Sequence, residues 1–241
     1  MSAREQIEAA LADAPAVVTT AADAKAVDSA IGRVAALPPE CSDDLQAYAR
    51  ALLDDFSSSN SERLLIVLEG MHRRGQDASE LAARALTAPG SAERELYVDL
   101  LAQAYPDRAA APLTAAFDFY DEDSDVDGFL RARILEALGK IEARDAAETV
   151  ADGLEHDDSD RVRLAAIEAL DRLDARDEAP ALIERLEQDN DPEVVAAAAG
   201  LLGRWGHTDA LPALEALAAS DWAQRSPEVR DGVSGALERL R

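Results

Sequence analysis

The feature that most constrains this chain is an apolar pattern that returns every 32 residues. Between Asp158 and Leu186 the sequence reads DSDRVRLAAIEALDRLDARDEAPALIERL. Val162, Ala165, Ala166, Ala169, Leu170 and Leu173 lie at the three-and-four spacing of one helix face. Asp158, Ser159 and Asp160 precede it as capping residues that suit the positive end of a helix dipole. A turn at Asp174 to Asp177 follows, and Pro180 stands where the first turn of a second helix tolerates it. Leu182, Ile183 and Leu186 supply a shorter stripe, so the unit is a helical hairpin. A shift of 32 residues gives Val194, Ala198, Leu201, Leu202 and Trp205, with Pro212 and Leu214 in place of Pro180 and Leu182. The same shift backwards gives Leu130, Ile134, Ala137, Leu138 and Ile141. From Val194 a shift of 35 gives Val229, Val233, Ala236, Leu237 and Leu240. Four registers of one pattern predict an array of repeated hairpins.

Upstream the period continues with less regularity. Leu96, Leu100 and Ala104, followed by Ala111-Pro112-Leu113, form one pair, and Leu64 and Leu68 with Leu81 and Leu86 form another. Ala24–Leu37 and Asp43–Phe56, separated by Pro38-Pro39, read as a further pair, with Arg4–Leu11 as a leading helix. A lone hairpin cannot cover its apolar face, so neighbours must stack into one core. The expectation is an all-α chain, an α-solenoid of about six hairpins. Residues 61–241 form the array, and residues 1–60 form divergent repeats or a cap on the same continuous solenoid.

Composition agrees with helices. The hydrophobic fraction is 48% with only 4% aromatic residues, so alanine carries much of the apolar content and a β-sandwich is disfavoured. Acidic residues number 49 against 24 basic ones, a formal charge of −25, and the only lysines are Lys25 and Lys140. In molar salt the Debye length falls to about 3 Å, and the self-repulsion of such a chain is screened. This is the balance expected of a halophile's protein, in particular a halophilic archaeon's. The same charge speaks against nucleic-acid binding, which needs a basic footprint. Cys41 is the single cysteine and excludes an intramolecular disulfide. No signal peptide and no membrane-spanning apolar run is visible, so a soluble cytoplasmic protein is expected.

The repeat residues resemble the HEAT family, in its short form named after phycobilisome lyases. The resemblance rests on Asp157 with Val162-Arg163 and Ala165-Ala166, and on Asp125 with Leu130-Arg131 and Ala137-Leu138-Gly139. Asp189 with Val194, and Val229-Arg230, continue it. Val195 stands where Arg belongs, Gln224 where the last Asp belongs, and Asp171 in place of Gly. The family implies a ladder of Asp–Arg hydrogen bonds between repeats, carried here by Asp125, Arg131, Asp157, Arg163, Asp189 and Arg230. It also implies that the Val-Arg helices line the concave side.

Chemistry-bearing motifs are few. Asp123, Asp125 and Asp127, with Gly128 and Leu130, match the first half of an EF-hand calcium loop. Position 12 is Ile134 instead of glutamate, and Asp125 already has a ladder role. A solvated acidic loop between repeats is the competing reading. His72, His156 and His207 form no metal-ligand pair, and no nucleophile, general base or phosphate loop is evident. Neither an enzymatic activity nor a cofactor is expected. Trp205 sits at a core position. Trp222 reads either as a partner anchor or as a cover for the end of the array. Phe117, Phe119 and Tyr120 are expected to pack beneath the acidic loop, with a binding patch beside that loop as the alternative.

On the Val-Arg helices, Arg133, Glu136, Lys140, Arg161, Glu168 and Arg172 fall off the apolar stripe and are candidates for a groove wall. Basic residues gathered there would suit an acidic partner; the competing reading for each residue is a solvated face with i, i+4 pairs such as Glu168–Arg172. The leading expectation is a non-catalytic scaffold that binds a protein along this groove. The alternative, a bilin lyase or isomerase subunit, follows from the family resemblance alone.

Overall fold

The computed structural model describes residues 1–15, 18–88, 94–120 and 125–241, apart from the side chains of residues 58, 59, 125 and 126. The chain is all-α. Its helices are α1 (Ala3–Leu11), α2 (Ala21–Ala35), α3 (Ser42–Asp54), α4 (Ser58–Arg73), α5 (Ser79–Leu86), α6 (Arg94–Ala104), α7 (Pro106–Phe119), α8 (Asp125–Lys140), α9 (Ala147–His156), α10 (Asp160–Leu173), α11 (Ala179–Gln188), α12 (Pro192–Trp205), α13 (Leu211–Ala218), α14 (Asp221–Arg225) and α15 (Pro227–Leu240). Two compact units result, Met1–Pro112 and Leu113–Arg241. Both follow the plan of an α-solenoid, in which each second helix packs on the first helix of the next repeat. In the first unit α3 packs on α4 and α5 on α6; in the second α9 packs on α10, α11 on α12 and α13 on α15.

In the second unit the apolar stripes are the core. Val162, Ala166, Ala169, Leu170 and Leu173 of α10 are buried, as are their counterparts Val194, Ala198, Leu201, Leu202 and Trp205 of α12. Ile141 and Leu240, the last stripe positions of α8 and α15, are only partly covered. Pro180 and Pro212 occupy the first turns of α11 and α13. There the missing N–H has no intrahelical acceptor to lose.

α8, α10 and α12 each stop on a left-handed residue. Glu142 (φ 54°), Asp174 (φ 50°) and Gly206 (φ 69°) recur at 32-residue spacing, and short 3-10 turns then lead into α9, α11 and α13. Only the last is the glycine that accepts this conformation without cost.

The repeats are joined by buried arginines. Arg131 of α8 donates from Nε to Asp157 Oδ2 at 2.7 Å, and from Nη1 to the carbonyls of Phe117 and Tyr120 at the end of α7. Its guanidinium also lies 3.8 Å above the Phe117 ring. Arg163 of α10 repeats the geometry one tile on. It donates to both carboxylate oxygens of Asp189, at 2.7 and 3.0 Å, and to the carbonyls of Asp157 and Asp158. Asp157 and Asp189 are the C-caps of α9 and α11 in extended backbone, and each also accepts a backbone N–H two residues on. Each arginine therefore clamps the ends of two successive second helices.

The rungs run between repeats as expected, with the Asp157 carboxylate taking Arg131 and Arg163 reaching forward to Asp189. Two points of the expected ladder need correction. Arg230 forms no rung, because it is exposed and its Nε pairs with the adjacent Asp231 at 3.1 Å. Asp221, and not residue 224, stands at the rung spacing after Asp189, on the exposed start of α14. Its partner position is the buried Val195, so no rung can form there. The α12–α15 contact is a close approach of backbones. A Cβ on Gly203 would lie 2.8 Å from the Ala236 Cα, and one on Gly232 would lie 2.9 Å from the Ala196 Cα.

Two outcomes are expected. Asp157→Ala leaves Arg131 charged and buried without its carboxylate, and should cost about 3–5 kcal/mol in urea unfolding. The paired replacement Arg131→Met/Asp157→Leu should cost clearly less, because no unpaired charge remains. Glu142→Gly relieves a left-handed non-glycine residue and should stabilise by about 0.5–1 kcal/mol, read as a shift of the denaturation midpoint.

Candidate functional site

On α8 and α10 the residues between the apolar stripes turn outward. The structure brings three of the expected groove residues, Glu136, Arg161 and Glu168, into one depression of about 350 Å³. Asp160, Leu164 and Glu193 complete its wall, so successive repeats contribute through α8, α10 and α12. The helix period explains the grouping. Arg161, Leu164 and Glu168 are three and four residues apart on α10, and the equivalent stripes of α8 and α12 lie alongside.

The cations of this face are largely paired within it. Arg133 Nη1 lies 3.1 Å from Glu136 Oε2, and Lys140 Nζ lies 3.6 Å from the same oxygen, so both cations are turned onto one carboxylate. The Arg161 guanidinium stands 4.9 Å from the centroid of Phe129, a cation–π contact. Glu168 and Arg172 make no ion pair; Arg172 instead runs its stem beside Gly139. Asp160 and Glu193 sit in the first turns of α10 and α12, where the helix dipole favours them. Glu168, in the middle of α10, has no such local reason. The depression is therefore acidic, with its neighbouring cations already engaged.

Beside it stands an apolar residue that the repeat pattern did not single out. Phe129 is 57% exposed on α8, and its ring carries Arg161. Its signal was available in the sequence, since it stands at the repeat position of Arg161 and Glu193, off the apolar stripe. Phe119 is 60% exposed, while Phe117 and Tyr120 are buried, which limits the expected packing cluster to two of its three rings. Trp222 is partly buried on α14. Trp205 is buried.

Asp123 of the possible calcium loop, and the side chain of Asp125, lie outside the described residues. Asp127 lies in the first turn of α8. Among the described residues no group of three His, Cys, Asp or Glu side chains is placed to hold a metal ion, and no helix is long and apolar enough to cross a membrane.

The second-helix side of this unit is also acidic. Glu178 has its carboxyl pushed above the ordinary value by burial, with Glu155, Asp177 and Glu148 adding repulsion. In the first unit a depression of about 390 Å³ is lined in part by Glu8, Tyr48 and Arg63. Tyr48 donates its hydroxyl to Glu8 at 3.0 Å, and Arg63 Nη2 lies 3.4 Å from the same carboxylate. Burial and that carboxylate raise the Tyr48 phenol above its usual value. A third depression, beside α4 and α6, includes Glu69, whose carboxyl is raised by burial.

Comparison with known proteins agrees with this architecture. The model of HEAT repeats matches residues 120–199 and 179–241, which together cover the whole region of buried rungs and recurring left-handed stops. No curated protein matches the chain. With its repeat period, its stacked helix pairs and half of its length within that model, the chain belongs to the HEAT-repeat family.

Proposed function

We propose that this chain is a non-catalytic scaffold that binds a protein on the first-helix face of its second unit. HEAT repeats commonly act as protein-interaction scaffolds. The observation that carries the reading here is the depression walled by three successive first helices, α8, α10 and α12. A site assembled from one stripe per repeat is extended by construction, and it suits a chain segment better than a small molecule. Supporting it, four buried ionisable groups of this unit, Arg131, Asp157, Arg163 and Asp189, are used in holding repeats together. The side chains left for a partner are the outward ones.

The acid excess supports a second element of the reading, a working environment of molar salt inside the cell. With a formal charge of −25, the folded chain repels itself in dilute buffer, and added salt screens that repulsion.

Affinity capture on the immobilised full chain from native extract at high salt should retain one protein in near-stoichiometric amount. Hydrogen exchange on the complex should then show protection along Arg161 to Glu168 and around Glu193. Retention of only a coloured or other small ligand would overturn the scaffold reading, as would protection confined to the second-helix side. Separately, raising KCl from dilute buffer to molar concentration should lift Tm by about 5 °C or more, equivalent to roughly 1–2 kcal/mol for a chain of this size. A flat or falling Tm would overturn the salt element.

A further inference from the structure

Resting on that reading, we infer that the partner presents a basic segment, with an arginine or lysine entering the depression and an apolar side chain lying against Phe129. The depression holds Asp160, Glu168 and Glu193 around Leu164, and none of the three carboxylates has an ion pair among the described residues. The one cation lining the depression, Arg161, keeps its charge but is outnumbered there by the carboxylates, and Arg172 makes no ion pair with Glu168. Arg133 and Lys140 lie on Glu136, and Arg161 lies on the Phe129 ring. An approaching cation therefore meets uncompensated carboxylates without displacing a buried pair.

The apolar component is equally defined. A phenylalanine 57% exposed on a highly acidic surface is not held there by solvation, and it adjoins the depression through Arg161. A segment with one cationic and one apolar residue about a helical turn apart matches both features. An acidic partner surface, by contrast, would place like charges against Glu168 and Glu193. Charge complementarity thus selects the sign, and Phe129 selects the mixed character of the occupant.

The probe is a fluorescein-labelled helical peptide of about four turns, with arginines and leucines on one face, titrated into the full chain at about 0.1 M salt, where the Debye length is about 10 Å. Two analogues carry glutamine in place of every arginine or of every leucine. Because the whole protein is acidic, the decisive comparison is between two variants of equal net charge. Glu168→Arg/Glu193→Arg reverses the depression, and Glu148→Arg/Glu187→Arg reverses exposed residues of α9 and α11. The first should weaken binding of the arginine–leucine peptide by about tenfold or more, and the second by much less. Phe129→Ala should weaken that peptide and leave the leucine-free analogue nearly unchanged.

Equal losses in the two charge-reversed variants would reduce the effect to net charge and overturn the inference. So would undiminished binding to Glu168→Arg/Glu193→Arg, with circular dichroism showing that it folds. If a natural partner is captured by wild type and by that variant alike, the basic-segment inference fails while the scaffold reading stands. If no protein is captured by either, the scaffold reading itself fails.

Discussion

The second unit depends on one interaction, the buried arginine that joins the ends of two second helices. Arg131 holds the carbonyls that close α7 and the carboxylate that closes α9; Arg163 does the same for α9 and α11. A guanidinium suits this place because it presents several donors in a plane and cannot lose its charge. Helix C-termini collect unsatisfied carbonyls and partial negative charge, so a cation there is attracted by both aspartate and dipole. Desolvating the pair is expensive, and the gain lies in register. An arginine that must reach two carbonyls and a carboxylate admits few relative placements of neighbouring hairpins. Asp157 takes part twice, with its carboxylate toward one repeat and its carbonyl toward the next.

Rungs and close packing vary independently along the stack. α8 and α10 approach closely at Gly139 against Ala169 and also carry the Arg163 rung, whereas α12 and α15 approach closely at Gly203 against Ala236 and Gly232 against Ala196 without one. Between α10 and α12 the arginine position is Val195, and neither device is present. Asp171 occupies the position that Gly139 and Gly203 hold in neighbouring repeats, and the two helices pack less closely there. An exposed ion pair between Asp171 and Arg204, at 2.8 Å, bridges them, and Arg176 adds a bond to the Trp205 carbonyl. Adjacent interfaces of one stack are therefore held by different chemistry.

Helix positions, the repeat period and nearly every core residue of the second unit were legible in the sequence, because burial is periodic and apolar side chains have no second use. Val162, Ala166 and Leu170 could only be stripe residues. The aspartates and arginines of the ladder could be named, but not which repeat each would reach, since a rung spans 26 residues and the hairpin angle decides its direction. Arg230 shows the limit. It matches the pattern letter for letter, yet it is exposed and its Nε pairs with the adjacent Asp231. The site was harder to read for a related reason. Off-stripe residues are predictably outward, but whether a cation is available depends on rotamers. Arg133 and Lys140 share Glu136, a choice that spacing permits without compelling, and it leaves those two cations paired within the wall.

This redistribution follows from the shortage of cations. With about two acidic residues for each basic one, an arginine set into a rung or onto a helix end is withdrawn from the surface. Arg131 and Arg163 are buried, Arg176 caps a carbonyl, and Arg204 bridges α10 and α12. The carboxylates outnumber what remains, so the outward faces are acidic by default. A partner cannot then be selected by negative charge alone, because every face offers it. Discrimination has to come from features the acid excess does not supply. On this unit those are a concave placement of carboxylates around Leu164 and an exposed phenylalanine at its edge. High salt would sharpen the distinction, since screening removes long-range attraction and leaves only contacts made within a few ångströms.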